Sequence, residues 1–312
     1  MTGGLSESKL ARSAREAFRC GFVAIVGRTN VGKSTLMNHL VGMKIAITSN
    51  KPQTTRRRLT TVFTNDRGQI VFVDTPGIHL PHNRLSEYMD NVAYKSVSDV
   101  DLILFVVEPV TYIGKGEQQI IEKIRSSGKP VILAVNKCDT VEKESIEKAF
   151  EAYGRVLDIA DALAVSALKG INIDALTDAI IRRLPESPML YDEDTVTDET
   201  ERDITAEIIR EKALRLLKDE VPHGIAVSIV SFKERADGLV DIEADIICEK
   251  DSHKGIIIGK GGSMLKKIGS DSRKDIEELI EAHVNLKLFV KVRRDWRQNA
   301  MMLKDLGYTD RD

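Results

Sequence analysis

The segment Gly27-Arg28-Thr29-Asn30-Val31-Gly32-Lys33-Ser34 matches the phosphate-loop pattern G-x-x-x-x-G-K-[ST]. A short apolar run, Phe22–Val26, precedes it, and a helical pattern from Lys33 to Val41 follows it. Glycines let successive backbone N–H groups turn inward around phosphates, and the start of the helix adds partial positive charge. We expect Lys33 to reach the β and γ phosphates and the Ser34 hydroxyl to hold Mg²⁺. The predicted contacts of this loop are Gly27, Asn30, Val31, Gly32, Lys33, Ser34 and Thr35.

A second motif, Asp74-Thr75-Pro76-Gly77, follows the apolar run Ile70–Val73. An acid at the end of such a strand can hold Mg²⁺ through a water molecule. The Gly77 N–H can meet the γ phosphate from a flexible backbone position. Asp74 and Gly77 are therefore predicted to complete the phosphate side of the site.

Two motifs further along the chain suit a purine base. Asn136-Lys137-Cys138-Asp139 follows the run Val131–Val135, and the Asp139 carboxylate can accept both N–H groups on the Watson–Crick edge of guanine. Adenine does not offer that pair of donors. Because the carboxylate would be left unpaired against adenine, the site selects guanine. Ser166-Ala167 follows the run Ala162–Val165 and can present a backbone N–H to the guanine carbonyl.

Apolar runs alternate with helical patterns throughout the first half of the chain. The runs are Phe22–Val26, Ile70–Val73, Leu102–Val107, Val131–Val135 and Ala162–Val165. The helical patterns cover about 33–41, 85–97, 117–127, 143–154 and 172–183. Strict alternation predicts an α/β domain in which helices cover both faces of a parallel sheet.

The order phosphate loop, D-T-P-G, N-K-C-D and S-A resembles the motif series of GTPases. The resemblance implies a P-loop GTPase domain with a mixed, mostly parallel sheet, which binds GTP or GDP with Mg²⁺. Lys51–Arg56 lies where GTPases carry a mobile switch, and Thr55 is the preferred Mg²⁺ ligand there, with Thr54 as the alternative. The residues expected to act in catalysis are Lys33, Thr55, Asn30 and Gly77.

One position departs from the pattern of Ras-type enzymes. Those enzymes place a glutamine after the D-x-x-G glycine to orient the attacking water, whereas this chain has Ile78. We therefore expect slow intrinsic hydrolysis, or help from another group. Asn30 resembles the asparagine with which some GTPases hold a potassium ion, so K⁺ is a candidate source of the missing positive charge.

Length and composition indicate two ordinary globular domains. The chain has 312 residues, and 46 basic against 48 acidic residues give a net charge of -2. A nucleic-acid or membrane surface must therefore be a local patch. Three cysteines cannot form a complete disulfide framework, and residues 1–20 form a polar leader without the apolar centre of a secretory signal. We expect a cytoplasmic protein.

Residues 21–184 are predicted to form the GTP-binding domain, 185–203 an acidic interdomain linker, and 204–312 a second domain with a C-terminal tail. The linker carries eight acidic residues and one basic residue, without apolar periodicity. The second domain has predicted elements in the order α-β-β-α-α-β. They are a helix at Ile204–Leu217, a hairpin of Ile225–Phe232 and Leu239–Ile247, helices at about 252–258 and 262–282, and a strand at Leu286–Val292.

The two later helices are separated by Gly259-Lys260-Gly261-Gly262, which fits the GXXG loop of KH domains that clamps single-stranded RNA. The element order is that of the type II KH topology. From 253 to 274 the segment has six basic residues and one acidic residue, which is the local patch that the net charge conceals. Trp296 is open to two roles: base stacking or capping the domain core. The predicted RNA contacts are Gly259, Lys260, Gly261, Gly262, Lys254, Lys266, Lys267, Arg273, Lys291 and Arg293.

After about residue 20 the whole chain resembles the Era family, a branch of the TrmE-Era-EngA type of GTPases in which a C-terminal KH domain follows the GTPase domain. The strings that carry the resemblance are GRTNVGKST, KPQTTRRR, DTPGIH, NKCD, SAL, ESPMLY, AEIIREKALRLL and HKGIIIGKGGSMLKKIGSDSRKDIEE. It implies binding of the 16S rRNA 3′ end, a role in 30S subunit maturation, and weak peripheral association with the inner membrane. We expect a monomer without a DNA partner.

Two other classes of protein stay open at this point. One is a constitutive RNA-binding protein with a purely structural nucleotide, for which turnover would be undetectable even with RNA. The other is a membrane-recruited signalling GTPase that uses its KH-like domain as a protein adaptor. Salt-insensitive binding to a protein, without RNA affinity, would favour that class.

Overall fold

A computed structural model describes residues 17–47, 56, 59–74 and 83–308 of the chain. Among them it contains one sheet of six strands and one of three. None of the helices in these ranges is both long enough and apolar enough to cross a membrane.

The six-stranded sheet has the order β2-β3-β1-β4-β5-β6. Its strands are β1 Arg19–Val26, β2 Leu59–Asn65, β3 Gly68–Asp74, β4 Leu102–Val107, β5 Val131–Val135 and β6 Asp161–Ala164. The helices in this part are α1 Lys33–Val41, α2 Arg84–Ser98, α3 Lys115–Ser127, α4 Lys143–Gly154 and α5 Ile173–Ile181. All neighbours are parallel except β2 and β3.

The antiparallel pair at the edge confirms the mixed sheet that the GTPase resemblance implies and corrects the purely parallel sheet inferred from alternation. Strand β2 was not predicted, because its Thr-rich sequence has no strong apolar run. A tight turn joins it to β3, where Asn65 Oδ1 accepts hydrogen bonds from the Arg67 and Gly68 amides at 2.9 and 3.0 Å. A turn this short can only join antiparallel strands.

The sheet is buried on both faces, as continuous apolar strands require. All six residues of β4 are buried. Helices α1 and α5 pack in the apolar cluster on one face, and α3 and α4 pack in the cluster on the other. The parallel strands end at the same edge, so the loops that follow β1, β3, β5 and β6 meet there.

The second part of the chain has the order α-β-β-α-α-β, which confirms the KH topology. Its elements are α6 Glu201–Leu216, β7 Ala226–Glu234, β8 Val240–Cys248, α7 Asp251–Ile258, α8 Ser263–Ile280 and β9 Val284–Val292. Strands β7 and β8 are antiparallel, and β9 lies parallel to β8. The even-numbered residues of β8 and β9 pack with the helices in one core.

The C-terminal segment connects the two parts. Helix α9, Ala300–Asp305, and Trp296 pack with Ala226 and Ile247 of the three-stranded sheet and with Leu85 and Met89 of α2. The expected tail therefore packs on the KH domain and on the GTPase domain as well. Trp296 is fully buried and donates a hydrogen bond from Nε1 to the Gly224 carbonyl at 3.0 Å, which excludes the base-stacking role.

The acidic segment between the two parts lies along the edge strand β2. The Val62 amide donates to the Val196 carbonyl at 2.9 Å, and the Thr197 hydroxyl donates to the Thr60 carbonyl at 2.7 Å. The buried Gln69 side chain accepts hydrogen bonds from the backbone amides of Leu190 and Tyr191. The segment is thus held against the first domain by backbone and side-chain hydrogen bonds.

Candidate functional site

The phosphate loop lies between β1 and α1, at the edge where the parallel strands end. Gly27 and Gly32 have positive φ angles of 154° and 102°. A Cβ on Gly27 would lie 2.2 Å from the Val106 carbonyl oxygen, and one on Gly32 would lie 2.2 Å from Asn136 Nδ2. Only glycine fits at either position. Gly32 caps α1 without a side-chain hydrogen bond, so the first N–H groups of the helix face the loop.

Lys33 is a buried cation inside this loop. Its Nζ donates hydrogen bonds to the carbonyls of Gly27 and Arg28 at 3.0 and 2.9 Å. Burial lowers the pKa of Lys33, and the negative charge of Asp74 partly opposes that effect. Asp74 is itself fully buried at the end of β3, and its Cα pairs in register with Ile25 and with Leu59.

The arrangement has the chemistry of a phosphate and Mg²⁺ site. A loop in which no Cβ fits at Gly27 or Gly32, a helix N-terminus and a buried lysine suit the phosphates. The Ser34 hydroxyl, in the first turn of α1, and the Asp74 carboxylate offer the oxygen ligands that Mg²⁺ prefers. Asn30, with a left-handed φ of 66°, is exposed on the loop, and Thr35 is half-buried behind Ser34. The predicted contributions of Thr55, its alternative Thr54 and Gly77 lie outside the described residues.

Asn136 connects three of the four motifs. Its side chain is 2% exposed, and Nδ2 donates to the Val31 carbonyl at 2.7 Å. Its Oδ1 accepts a hydrogen bond from the Ala167 amide at 2.9 Å. The sequence predicts that Asn136 belongs to the nucleotide site, and in the structure its side chain holds the phosphate loop to the S-A loop. The close approach of Gly32 to Asn136 is part of the same contact.

The base side of the site is more open. Asp139 is exposed in a short 3₁₀ turn, Cys138–Thr140, directly after β5. Lys137 has a left-handed backbone, and its Nζ forms an ion pair with Glu108. The Ser166 amide donates to the Ile171 carbonyl at 3.1 Å, so the amides of Ser166 and Ala167 both donate within the protein.

The GXXG loop joins α7 to α8 in the second part of the chain. Gly259, Gly261 and Gly262 have φ angles of 73°, 59° and 79°. A Cβ on Gly259 would lie 2.7 Å from Met264 Cβ, whereas a Cβ on Gly261 or Gly262 would meet nothing within 4 Å. Gly259 is therefore required for packing, while Gly261 and Gly262 leave open space above the loop.

A groove of about 470 Å³ runs from this loop between α8 and β9. It is lined by Gly262, Leu265, Lys266, Gly269, Ser270, Arg273, Leu286 and Leu288. Its floor is apolar and two of its lining residues are cationic, a combination that suits bases and phosphates of a single strand.

Of the other predicted RNA contacts, some lie near the GXXG loop and some lie on or after β9. Lys260 and Lys267 are exposed on the loop and on α8, and Lys254 is half-buried on α7. Lys291 lies on the face of the sheet opposite the groove, because side chains alternate along β9, and its Nζ is 2.7 Å from Asp245 Oδ2. The structure therefore does not bring Lys291 into the groove. Arg293, half-buried just after β9, donates its amide to the Cys248 carbonyl at 2.8 Å.

Two family models match these two parts of the chain. The model described as "50S ribosome-binding GTPase" matches residues 22–137. The model described as "KH domain" matches residues 220–297.

Curated relatives match along nearly the whole chain. GTPase Era of Clostridium botulinum (strain Alaska E43 / Type E3) is 53% identical over 93% of this chain and 99% of that protein. GTPase Era of Clostridium beijerinckii is 51% identical over 93% of this chain and 98% of that protein.

Two solved structures of Era superpose with a TM-score of 0.89 and are 38% identical. One is an Aquifex aeolicus variant bound to GDP·AlF₄⁻, which covers 93% of this chain and 99% of its own. The other is a complex with MgGDPNP and nucleotides 1506–1542 of 16S ribosomal RNA, which covers 94% of this chain and 99% of its own. The chain, a P-loop GTPase domain followed by a KH domain, belongs to the Era family of GTPases.

Proposed function

We propose that this protein is a GTP-hydrolysing switch that binds the single-stranded 3′ end of 16S rRNA through its KH domain and assists maturation of the 30S subunit. The observation that carries the proposal is the presence of both built sites in one chain. One is a phosphate loop in which no Cβ fits at Gly27 or Gly32, and the other is a groove with an apolar floor and cationic lining residues. Support comes from the Era relative solved with MgGDPNP and a 16S rRNA segment, which superposes on 94% of this chain.

In the GTPase domain, residues 21–184, each motif takes one part of the nucleotide. The phosphates are assigned to Gly27, Asn30, Val31, Gly32, Lys33, Ser34, Thr35, Asp74 and Gly77. Ser34, Thr55 and, through water, Asp74 are assigned to Mg²⁺, which neutralises charge on the β and γ phosphate oxygens when bound. The base is assigned to Lys137 and Asp139. Asn136, Ser166 and Ala167 are assigned to holding the loops around it, because the Asn136 side chain and the amides of Ser166 and Ala167 are engaged within the protein.

In the KH domain, residues 204–312, the GXXG loop and α8 are assigned to RNA. Open space at Gly261 and Gly262 lets a phosphate approach the loop, and Lys266 and Arg273 supply charge along the groove. Cationic side chains beside an apolar floor favour RNA over the alternative of a membrane-recruited GTPase with a protein adaptor. We place the protein in the cytoplasm, and peripheral association with the inner membrane stays a prediction.

The residues of the GTPase domain have two roles: some stabilise charge on the phosphates, and others fix the geometry of the nucleotide site. The loop amides and Lys33 place positive charge around the γ phosphate, where charge develops during transfer. Asn136 fixes the phosphate loop against the S-A loop, so that phosphates and base are held in one geometry. If RNA favours the arrangement that GTP favours, linkage requires each ligand to raise the affinity for the other.

The test of this proposal is GTP turnover by the full chain with and without a single-stranded RNA copied from the 16S rRNA 3′ end. We expect the RNA to accelerate turnover by about tenfold, a coupling of ordinary size between two sites. RNA affinity should also be higher with a non-hydrolysable GTP analogue than with GDP. Turnover that stays undetectable with bound RNA would instead support the constitutive RNA-binding protein.

Potassium should accelerate hydrolysis. The position after the D-x-x-G glycine is Ile78, which cannot orient water, and exposed Asn30 on the phosphate loop is the candidate K⁺ ligand. A cation there would supply charge that an arginine finger supplies elsewhere, so we expect at least about tenfold faster turnover in K⁺ than in Na⁺ at matched ionic strength. Equal rates in the two salts would rule out the K⁺ site, and Asn30→Ala should remove the difference.

A further inference from the structure

Arg56 belongs to the GTPase part of the chain, but its side chain is buried in the KH domain. It is 1% exposed. Nη1 donates to the Ile225 carbonyl at 2.6 Å and Nη2 donates to the His223 carbonyl at 3.0 Å. The guanidinium carbon also lies 6.0 Å from the centre of the Trp296 ring, which stacks on Tyr308 at 5.9 Å. Every one of these partners lies after residue 220.

A buried guanidinium is costly unless its donors are satisfied. Nη1 and Nη2 of Arg56 have carbonyl partners, whereas its Nε is buried without a hydrogen-bond partner in the described structure. Burial lowers the pKa of Arg56, and a hydrogen bond with the Tyr308 side chain acts in the opposite direction. Stacking on Trp296 adds a cation–π attraction in a place that water does not reach. Two backbone carbonyls and two aromatic rings form this binding place, which we call the Arg56 seat. They fix the orientation of the guanidinium and are compatible with its positive charge.

The Arg56 seat lies a short chain distance from the phosphate site. Leu59, the first residue of β2, pairs in register with Asp74. Arg56 precedes Leu59 by three residues, so their Cα atoms are at most about 10 Å apart. Arg56 is therefore close enough along the chain to link the position of the KH domain to the backbone beside Asp74.

A second cation of the GTPase domain makes a similar contact. Lys44, shortly after α1, has its Nζ 2.5 Å from Glu211 Oε2 of α6 and 2.5 Å from Asp275 Oδ2 of α8. Helix α1 starts at the phosphate loop and α8 starts at the GXXG loop. Lys44 and Asp275 thus join the far ends of the two helices that carry the phosphate-binding loops.

The docked arrangement resembles that of relatives holding GTP-like ligands. A TM-score of 0.89 over 93–94% of the chain requires both domains to superpose together. The two relatives are bound to GDP·AlF₄⁻ and to MgGDPNP. We propose that Arg56 is a positioning residue, whose seat on the KH domain holds the hydrolysis-competent arrangement of the GTPase domain. The proposal rests on the function proposed above, because it assigns the contact by which KH docking sets GTP turnover.

The first test compares Arg56→Ala, Arg56→Lys and Tyr308→Phe in the full chain, with Arg155→Ala as control. Arg155 is an exposed arginine of the GTPase domain that pairs only on its own helix end, with Glu151, in the described structure. We expect Arg56→Ala to lower kcat with RNA by about tenfold or more, the effect of losing a buried charged hydrogen bond. Kd for GDP should stay within about twofold, since the contact stabilises only the docked arrangement that GTP favours. Arg56→Lys should be intermediate because it keeps the charge without the planar fork, and Tyr308→Phe should lower kcat less than Arg56→Ala.

The second test reads the arrangement without turnover. Small-angle X-ray scattering with a GTP analogue should give wild type a radius of gyration near the roughly 20 Å of a compact chain of this length. Arg56→Ala should give a larger value, while Arg155→Ala should not. The proposal would be overturned if Arg56→Ala had the same kcat and the same radius of gyration as wild type. It would also be overturned if the variant lost GDP affinity by the same factor as kcat. A third outcome separates the two proposals. If the wild type shows no turnover while Arg56→Ala still has a larger radius of gyration, the proposed function is refuted and Arg56 is a docking contact alone.

Discussion

Replacing Asp139 with asparagine should change this protein from a guanine-specific to a xanthine-preferring enzyme. The Asp139 carboxylate stands exposed just after β5, where it can accept both N–H groups of guanine. The amide of asparagine puts a donor where guanine also has a donor, whereas xanthine has a carbonyl there. Losing two hydrogen bonds to a charged acceptor should weaken GTP by about a hundredfold or more. Competition of GTP and XTP against a fluorescent GDP analogue measures the exchange directly.

The matched control is Asp158→Asn, which makes the same chemical change at an exposed aspartate in the loop after α4. It should leave both affinities unchanged. An unaltered order of GTP over XTP in Asp139→Asn would refute the role assigned to Asp139. The phosphate contacts at Gly27–Ser34 would be untouched by that result, because they do not depend on the base.

The second large effect should come from replacing Gly261 and Gly262 together with aspartate. Two carboxylates in the loop would repel the RNA phosphates at close range, and we expect RNA affinity to fall by about a hundredfold at low salt. The domain should still fold, because a Cβ at either position meets nothing within 4 Å. The positive φ angles of 59° and 79° cost about 1–2 kcal/mol per residue at most, and aspartate tolerates them better than most residues. Fluorescence anisotropy with the RNA and circular dichroism measure the two properties.

The control places the same substitution in the same backbone conformation away from the groove. Gly128 and Gly238 have φ angles of 64° and 80°, and a Cβ on either also meets nothing within 4 Å. The double variant Gly128→Asp, Gly238→Asp should keep RNA affinity at the wild-type level. Equal loss in both double variants would show that overall charge, not the GXXG loop, sets the affinity.

Local signals made much of this architecture predictable. Strands β1 and β3 to β6 are dense apolar runs, and each nucleotide motif follows one of them. The edge strand β2 lacks that signal, since threonines occupy three of the seven positions in Leu59–Asn65. Its existence depends on the hairpin turn at Asn65 and on pairing with β3, neither of which an apolar pattern records. The order of elements was likewise enough to predict the KH topology.

Contacts between distant parts of the chain were beyond that reasoning. Nothing local in KPQTTRRR distinguishes Arg56 from its neighbours, and its burial depends on carbonyls almost 170 residues away. Asn136 could be assigned to a nucleotide motif, but its bonds to Val31 and Ala167 require the folded sheet edge. Side chains alternate between the two faces of β9, so the face that Lys291 occupies follows once the helix-facing residues of the strand are known.

The acidic segment along β2 has a consequence for colloidal behaviour. An uncovered edge strand offers free backbone donors and acceptors to any other chain, and is a starting point for β-sheet aggregation. Here Val196 and Thr197 occupy part of that edge, and the carboxylates around them repel a second copy. Cleavage of the segment would expose the Thr60–Val62 edge, so nicked protein should self-associate at concentrations at which the intact chain stays dispersed.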